Sequence, residues 1–241
     1  MLKTNTDHCS FSLFDQFKGL HLSFSLKTAG DLRVQLPTES PFQEYVQQMG
    51  ISADDVVLMN QVHEATVVDV DQTDRGSLIL GVDGLVTKEK NLFLGVRTAD
   101  CVPVFIFDQK NSVIGVAHAG WKGIKAGVVE QLLENAVRLG AQIEHTYIAI
   151  GPHIGVCCYD VLYERAQQFF PDYPESVVKQ NDKLYLDLGQ IAYRKARALG
   201  VAGEHFDIPI ACTSCQSERY FSFRKDTKET FGEMVGLIGI H

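Results

Sequence analysis

Three short segments of the chain collect polar or reactive side chains where strand-like runs give way to loops. They are NQVHEA (60–65), RTADCVPV (97–104) and GVAHAGWKG (115–123). Each offers one good zinc ligand: His63, Cys101 and His118. Zinc favours imidazole and thiolate donors, and three protein ligands leave a fourth position open for water or substrate. The spacing is long and irregular, so residue types alone leave two readings standing. One is an open metal site; the other is a cysteine packed beside a core strand with two hydrogen-bonded histidines. The same residues also fit Cys101 as a nucleophile with His118 as its base. A closed structural zinc would need a fourth protein ligand, with His153 and Cys157 as the available candidates.

The neighbours of these three residues have chemistry of their own. Arg97 and Asp100 flank Cys101, where charged groups tune a thiolate or touch substrate; Asp100 serves equally well as a turn cap. AGWKG (119–123) opens a predicted helix, so its free N–H groups and Lys122 suit an anion, or Gly120 and Gly123 simply turn the chain. Trp121, the only tryptophan, stacks on a base or packs. Arg224 in SFRKD reaches a phosphate or makes a surface ion pair, and Gln61 and Asp83 are weaker substrate-contact candidates of the same kind.

Six cysteines are present. Cys157 and Cys158 are adjacent and do not easily chelate one ion together. Cys212 and Cys215 form C-T-S-C, a thioredoxin-like spacing without the strand-to-helix context that motif needs. Neither pair carries an assignment by itself.

The elements that must position these residues follow from periodicity. Strands are expected at 21–26, 55–60, 67–70, 82–87, 91–96, 103–108, 112–119 and 146–150, from β-branched and aromatic runs punctuated by Gly, Asn and Asp. The clearest helix is expected over 124–139, with Ile124, Val128, Leu132, Ala136 and Leu139 on one stripe and Gly140 as its stop. Further helices are expected at 39–49 (Pro41 in the first turn), near 161–170 and at 187–199, with strands again at 219–223 and 235–240. This order predicts an α/β (α+β) fold, layered mixed β-sheets flanked by helices. Nothing marks a cut, so one domain over 1–241 is expected.

With 241 residues, 45% hydrophobic and 22% charged, the chain can bury a substantial core without disulfides. The net charge of −8 argues against non-specific nucleic-acid binding, which needs a positive field. The N-terminus has no signal-peptide pattern, and no apolar run approaches the roughly 20 residues needed to span a bilayer. A cytoplasmic protein with reduced cysteines is expected.

Read together, NQVH, VDGLVT, RTADCVPV, GVAHAGWKG, IGPHIGVCCYDV and CTS…RYFSFRKD resemble the YfiH-like family, also called laccase-domain proteins, polyphenol oxidases, purine nucleoside phosphorylases or peptidoglycan editing factors. The matching pieces run in order from about residue 60 to 226, and LHLSFSLKTAG (20–30) extends them toward the N-terminus. The resemblance implies a metal site at His63, Cys101 and His118, usually taken as zinc with copper also claimed. It implies one α/β domain grouped by fold with certain cysteine hydrolases. It also implies phosphorolysis of adenosine, inosine and methylthioadenosine, and deamination of adenosine, with Cys101 and His118 at the catalytic centre. Bacterial members are further linked to editing peptidoglycan precursors. A small nucleoside and phosphate are then the partners, with no nucleic acid or membrane. A copper polyphenol oxidase is disfavoured on the residues, since the eight histidines contain no H-x-H pair.

The chain departs from that family at two places. SLKTAG puts Lys27 where the family usually has Arg before a glycine pair, and Gly232 is followed by Glu233 instead of Arg. Lysine cannot reproduce a bidentate arginine fork, and glutamate reverses the charge. Substrate contacts at those two positions are therefore not carried over.

Overall fold

The computed structural model describes residues 2–4, 6–34 and 37–241. A seven-stranded sheet runs in the order β1 (Leu2–Thr4), β2 (His8–Phe11), β3 (Leu20–Ser25), β16 (Met234–Ile240), β8 (Phe93–Thr98), β4 (Val56–Asn60), β6 (Leu78–Leu80). A six-stranded sheet runs β15 (Phe206–Asp207), β11 (Thr146–Ile150), β9 (Val102–Asp108), β10 (Val113–Ala119), β7 (Gly84–Thr87), β5 (Val67–Asp69). A third, three-stranded sheet is made of β12 (Asp160–Val161), β14 (Lys183–Leu186) and β13 (Val177–Gln180). Parallel pairs such as β4–β8 and β5–β7 sit beside antiparallel ones such as β9–β10, so both large sheets are mixed. The α/β layering expected from the order of elements is what the chain adopts.

The near-continuous apolar strands follow from burial on both faces. Because side chains alternate along a strand, β4 divides its residues between two cores. Val57 and Met59 join Leu94, Val96, Phe105, Phe107, Ile114 and Val116 between the two large sheets. Val56 and Leu58 face the other way, with Phe93, Val235 and Leu237, onto Phe42, Tyr45 and Val46 of helix α1 (Phe42–Gln48). The opposite face of the six-stranded sheet, including Val104, Ile106 and Ala117, is covered by Val128, Leu132 and Ile191. Those residues belong to α3 (Val128–Arg138) and α5 (Leu188–Ala198). Each fully buried phenylalanine or leucine in these layers contributes about 1.5–3 kcal/mol.

Three expectations are corrected. The helix expected over 124–139 is two helices, α2 (Trp121–Ala126) and α3, separated by Gly127 at φ 96°. The apolar stripe continues through the break because Ile124 and Val128 enter the same core, so periodicity did not register it. The helix expected near 161–170 is one turn, α4 (Tyr163–Ala166). The segment 219–223 is not a strand: Tyr220 N–H donates to Gln216 O at 3.0 Å and Asp226 N–H to Ser222 O at 2.8 Å, as in successive turns. Its aromatic residues reflect packing, with Tyr220 and Phe221 buried, and not strand pairing.

Candidate metal centre and cleft

β10 carries His118, which is almost fully buried. Its neighbour β7 begins at Gly84, paired with Ala117, so Asp83 arrives beside His118 just before the strand starts. The His118 ring Nδ1 lies 2.8 Å from Asp83 Oδ1, and the His118 backbone N–H donates to the Asp83 carbonyl at 2.8 Å. With Nδ1 bonded to a carboxylate, the tautomer is fixed and Nε2 is left free as a ligand atom.

The same carboxylate builds the loop after β4. Asp83 accepts backbone N–H bonds from Val62 (3.1 Å), His63 (3.0 Å) and Glu64 (2.8 Å). This pins His63 at φ 63°, a conformation few residues adopt, and brings its ring to 4.7 Å from that of His118, nearly perpendicular. Cys101 comes from the turn between β8 and β9, where Asp100 stands at φ 87°. The ligand atoms of His63, Cys101 and His118 all lie within 4.8 Å of one another. A Cβ added to Gly120, which precedes α2, would fall 3.1 Å from His63 Cδ2 and 3.2 Å from Cys101 Sγ. Only glycine leaves that space open.

The electrostatics suit a thiolate. Burial opposes ionisation of Cys101, but His118 and His63 outweigh it and bring the thiol down to about 6. Burial likewise disfavours a charged His118, yet Cys101 and Asp83 hold it up to about 9. A thiolate beside imidazoles is the donor set zinc prefers, and one imidazole already has the carboxylate partner typical of metal-binding histidine. The residues present therefore fit the ion that the resemblance implies. A multicopper centre fits poorly, since only two of the eight histidines converge here.

The trio lies in a cleft of about 530 Å³. Of the expected substrate contacts, Gln61, Arg97, Asp100, Trp121 and Arg224 line it. Several are already engaged. Gln61 bridges both backbone polar groups of Arg97, at 2.7 and 2.8 Å. The Arg97 guanidinium donates to the Val34 and Met59 carbonyls. Asp100 accepts from the Thr213 hydroxyl at 2.6 Å and from the Arg224 backbone N–H at 2.7 Å, while the Arg224 guanidinium is ion-paired with the Asp160 carboxylate at 2.6 Å. Two candidates lie outside the cleft. Asp83 is fully buried behind His118. Lys122 projects to solvent, its Nζ 5.9 Å from the Trp121 ring centre. Lys27 does not line it either, being held by the Ser217 carbonyl and Asp226 at 3.2 Å each.

Residue-level reading missed other parts of the wall. Arg165 lies over Trp121 at 4.5 Å and donates to the Tyr159 hydroxyl at 3.1 Å. Phe223 and Phe231 meet edge-on at 5.6 Å. Glu233, noted only as a departure from the family, faces the cleft with Arg97 Nε 3.9 Å away. Burial holds its carboxyl above the usual range despite Arg97 and Arg33. None of these has a spacing that sequence could flag.

A model of the family described as multi-copper polyphenol oxidoreductase laccase matches residues 25–241. Purine nucleoside phosphorylase YlmD of Geobacillus stearothermophilus is 34% identical over 200 residues, covering 76% of this chain and 71% of that protein. A protein named adenosine deaminase RL5, from an unknown prokaryotic organism, is 30% identical over 190 residues, covering 74% of this chain and 72% of its own. The crystal structure of the Geobacillus YlmD superposes with a TM-score of 0.86 at 25% identity, over 100% of this chain and 98% of that one. The Bacillus licheniformis hypothetical protein YfiH gives the same score at 24% identity, over 100% and 99% of the two chains, and shares the fold. With this match over most of its length, the chain belongs to the laccase-domain, or YfiH, family.

Proposed function

We propose that the chain is a zinc-dependent purine nucleoside phosphorylase. It would convert adenosine, inosine or methylthioadenosine, with phosphate, to free base and sugar 1-phosphate, and deaminate adenosine at the same centre. The observation that carries this reading is the convergence of two imidazoles and one activated thiol within 4.8 Å in a cleft. The names of the relatives supply the substrate class. The reading takes residues 1–241 as one catalytic domain in the cytoplasm, with a nucleoside and phosphate as its only required partners. No helix among the described residues is long and apolar enough to cross a membrane.

His63, Cys101 and His118 would hold the ion. Zinc in such a site supplies Lewis-acid polarisation and lowers the pKa of water at its open position. The protein supplies the rest. Trp121, Tyr159, Phe223 and Phe231 offer flat apolar faces for a purine. Arg165 brings positive charge to the cleft and would orient phosphate against the anomeric carbon, where holding the two reactants together lowers the barrier; Arg224, paired with Asp160 at 2.6 Å, would have to exchange that partner to join it. Glu233, whose carboxyl burial holds above the ordinary range, would donate the proton that the departing base needs.

The test is phosphate-dependent release of adenine from adenosine. The wild type should release adenine only with phosphate, and Cys101→Ala should lose that activity. Release that is unchanged without phosphate, or unchanged by the substitution, overturns the reading.

A second reading is favoured by one specific arrangement: Asp83, His118 and Cys101 stand in the order of orienter, base and nucleophile. This would make the protein a cysteine amidase acting on peptidoglycan precursors. Activity on such an amide that survives exhaustive chelation supports the amidase; activity lost with the metal supports zinc.

A further inference from the structure

Among the described residues, one other group of side chains gathers metal-ligand atoms. The sulfurs of Cys157, Cys158, Cys212 and Cys215 all lie within 4.8 Å of one another, although the pairs are more than fifty residues apart. All four are free thiols. The two loops that carry them are joined by backbone. His153 and Cys212 form an isolated parallel bridge, with His153 N–H donating to the Ala211 carbonyl at 3.3 Å and Thr213 N–H to the His153 carbonyl at 3.0 Å.

Local geometry explains how adjacent cysteines share a centre. Cys158 N–H and Tyr159 N–H both donate to the Gly155 carbonyl, winding 155–159 into a helical turn. Successive side chains on such a turn splay by about 100° about its axis, yet the two sulfurs still lie within 4.8 Å of each other and of the opposite pair. Opposite them, Gln216 N–H donates to the Cys212 carbonyl at 3.1 Å, folding C-T-S-C so that Cys212 and Cys215 face the same point. Cys215 Sγ lies 3.4 Å from Cys157 Sγ and 3.3 Å from Cys158 Sγ. Cys212 Sγ accepts backbone N–H groups from Gly155 at 3.2 Å and Cys215 at 3.5 Å, the donors that stabilise thiolate charge.

We propose that Cys157, Cys158, Cys212 and Cys215 bind one zinc ion as a closed structural site, distinct from the centre at His63, Cys101 and His118. With Zn–S bonds of about 2.3 Å, tetrahedral sulfurs stand about 3.8 Å apart, within the range these sulfurs already span. Four thiolates select zinc or iron, and four protein ligands leave no vacancy for chemistry. The site's place in the fold gives it a task. Ile154 and Tyr159, on either side of Cys157 and Cys158, line the cleft. Ile154 N–H donates to the Asp100 carbonyl at 3.0 Å, and the Thr213 hydroxyl to the Asp100 carboxylate. Asp100 precedes Cys101. Fixing the two loops therefore fixes the cleft wall and the turn that presents Cys101.

The proposal does not depend on the nucleoside reaction, and its test does not read activity. Protein produced with zinc is analysed for metal per chain as wild type, Cys101→Ala and Cys212→Ser/Cys215→Ser. Cys101→Ala should retain one zinc, which an organomercurial releases as the four sulfurs are modified. The double variant should hold one equivalent less than wild type. Should the double variant not fold, cobalt exchanged into Cys101→Ala decides: the absorption of a tetrahedral four-thiolate cobalt centre is expected. A metal-free Cys101→Ala protein with four freely alkylated thiols, or with a disulfide among them, overturns the proposal. So does iron with the absorption of a four-thiolate iron centre.

Discussion

Asp83 grips His118 at two points, carboxylate to ring Nδ1 and carbonyl to backbone N–H, each at 2.8 Å. The same carboxylate takes three N–H bonds from residues 62–64. One buried side chain therefore orients one expected ligand and shapes the loop that carries another. Asp83→Asn keeps the volume but places an amide NH₂ against N–H donors. The expected result is a loss of about 10–100-fold in zinc affinity. Asp83→Ala should add about 1–3 kcal/mol of destabilisation for each buried donor left unsatisfied. Competition with a calibrated chelator and thermal melts measure the two effects. Unchanged affinity in Asp83→Asn would show that the carboxylate shapes the loop without tuning the centre.

Gly120 separates metal affinity from folding. Its φ of −71° suits any residue, so alanine there is not strained in the backbone. The new methyl would instead press on His63 Cδ2 and Cys101 Sγ, where the neighbours must give by a few tenths of an ångström. Gly120→Ala should melt close to wild type and bind zinc more weakly. Equal zinc binding would mean that His63, on its exposed loop, moves freely enough to absorb the methyl.

The pH dependence of Cys101 has a definite sign. In chelated protein its thiol sits near 6, against an ordinary 9.0, because His118 and His63 overcome burial. Lowering the pH through about 6 protonates the sulfur and removes its nucleophilicity; raising it restores the thiolate. Alkylation of Cys101, followed by peptide mass spectrometry, should therefore rise with a midpoint near 6. In His118→Asn the midpoint should move upward toward the ordinary thiol value. A wild-type midpoint near 9 would contradict the pairing.

The sequence made some of this legible for physical reasons. Strands β9 and β10 stood out because both their faces are buried, which leaves uninterrupted apolar runs. Gly127 was hidden because the residues on either side of it, Ile124 and Val128, serve the same core. His63, Cys101 and His118 are candidates by residue type, but only the family motifs favour the metal reading over packing, since the three sit on separate elements with no common period. The Asp83–His118 pair and the four cysteines are contacts across long stretches of chain. They depend on the pairing of β7 with β10 and on the His153–Cys212 bridge, and no local pattern encodes either.

Glu233 stands where the family resemblance leads one to expect arginine, and its role can be measured. Its carboxyl faces the cleft, and burial raises it more than Arg97 and Arg33 lower it. A carboxyl raised in this direction holds its proton to higher pH than an ordinary glutamate, which suits it to donating one to substrate. Glu233→Gln removes that proton while keeping size and hydrogen-bonding capacity. The expected effect on phosphorolysis is a fall of about 10²–10⁴-fold in kcat, little change in KM, and loss of the high-pH limb of the rate profile. Glu233→Asp should recover part of the rate. If Glu233 only anchors the Arg97 guanidinium, the Gln variant should instead lose stability and shift KM, with the pH profile unmoved. The KM-against-kcat split together with the pH profile therefore separates a proton donor from a positioning residue.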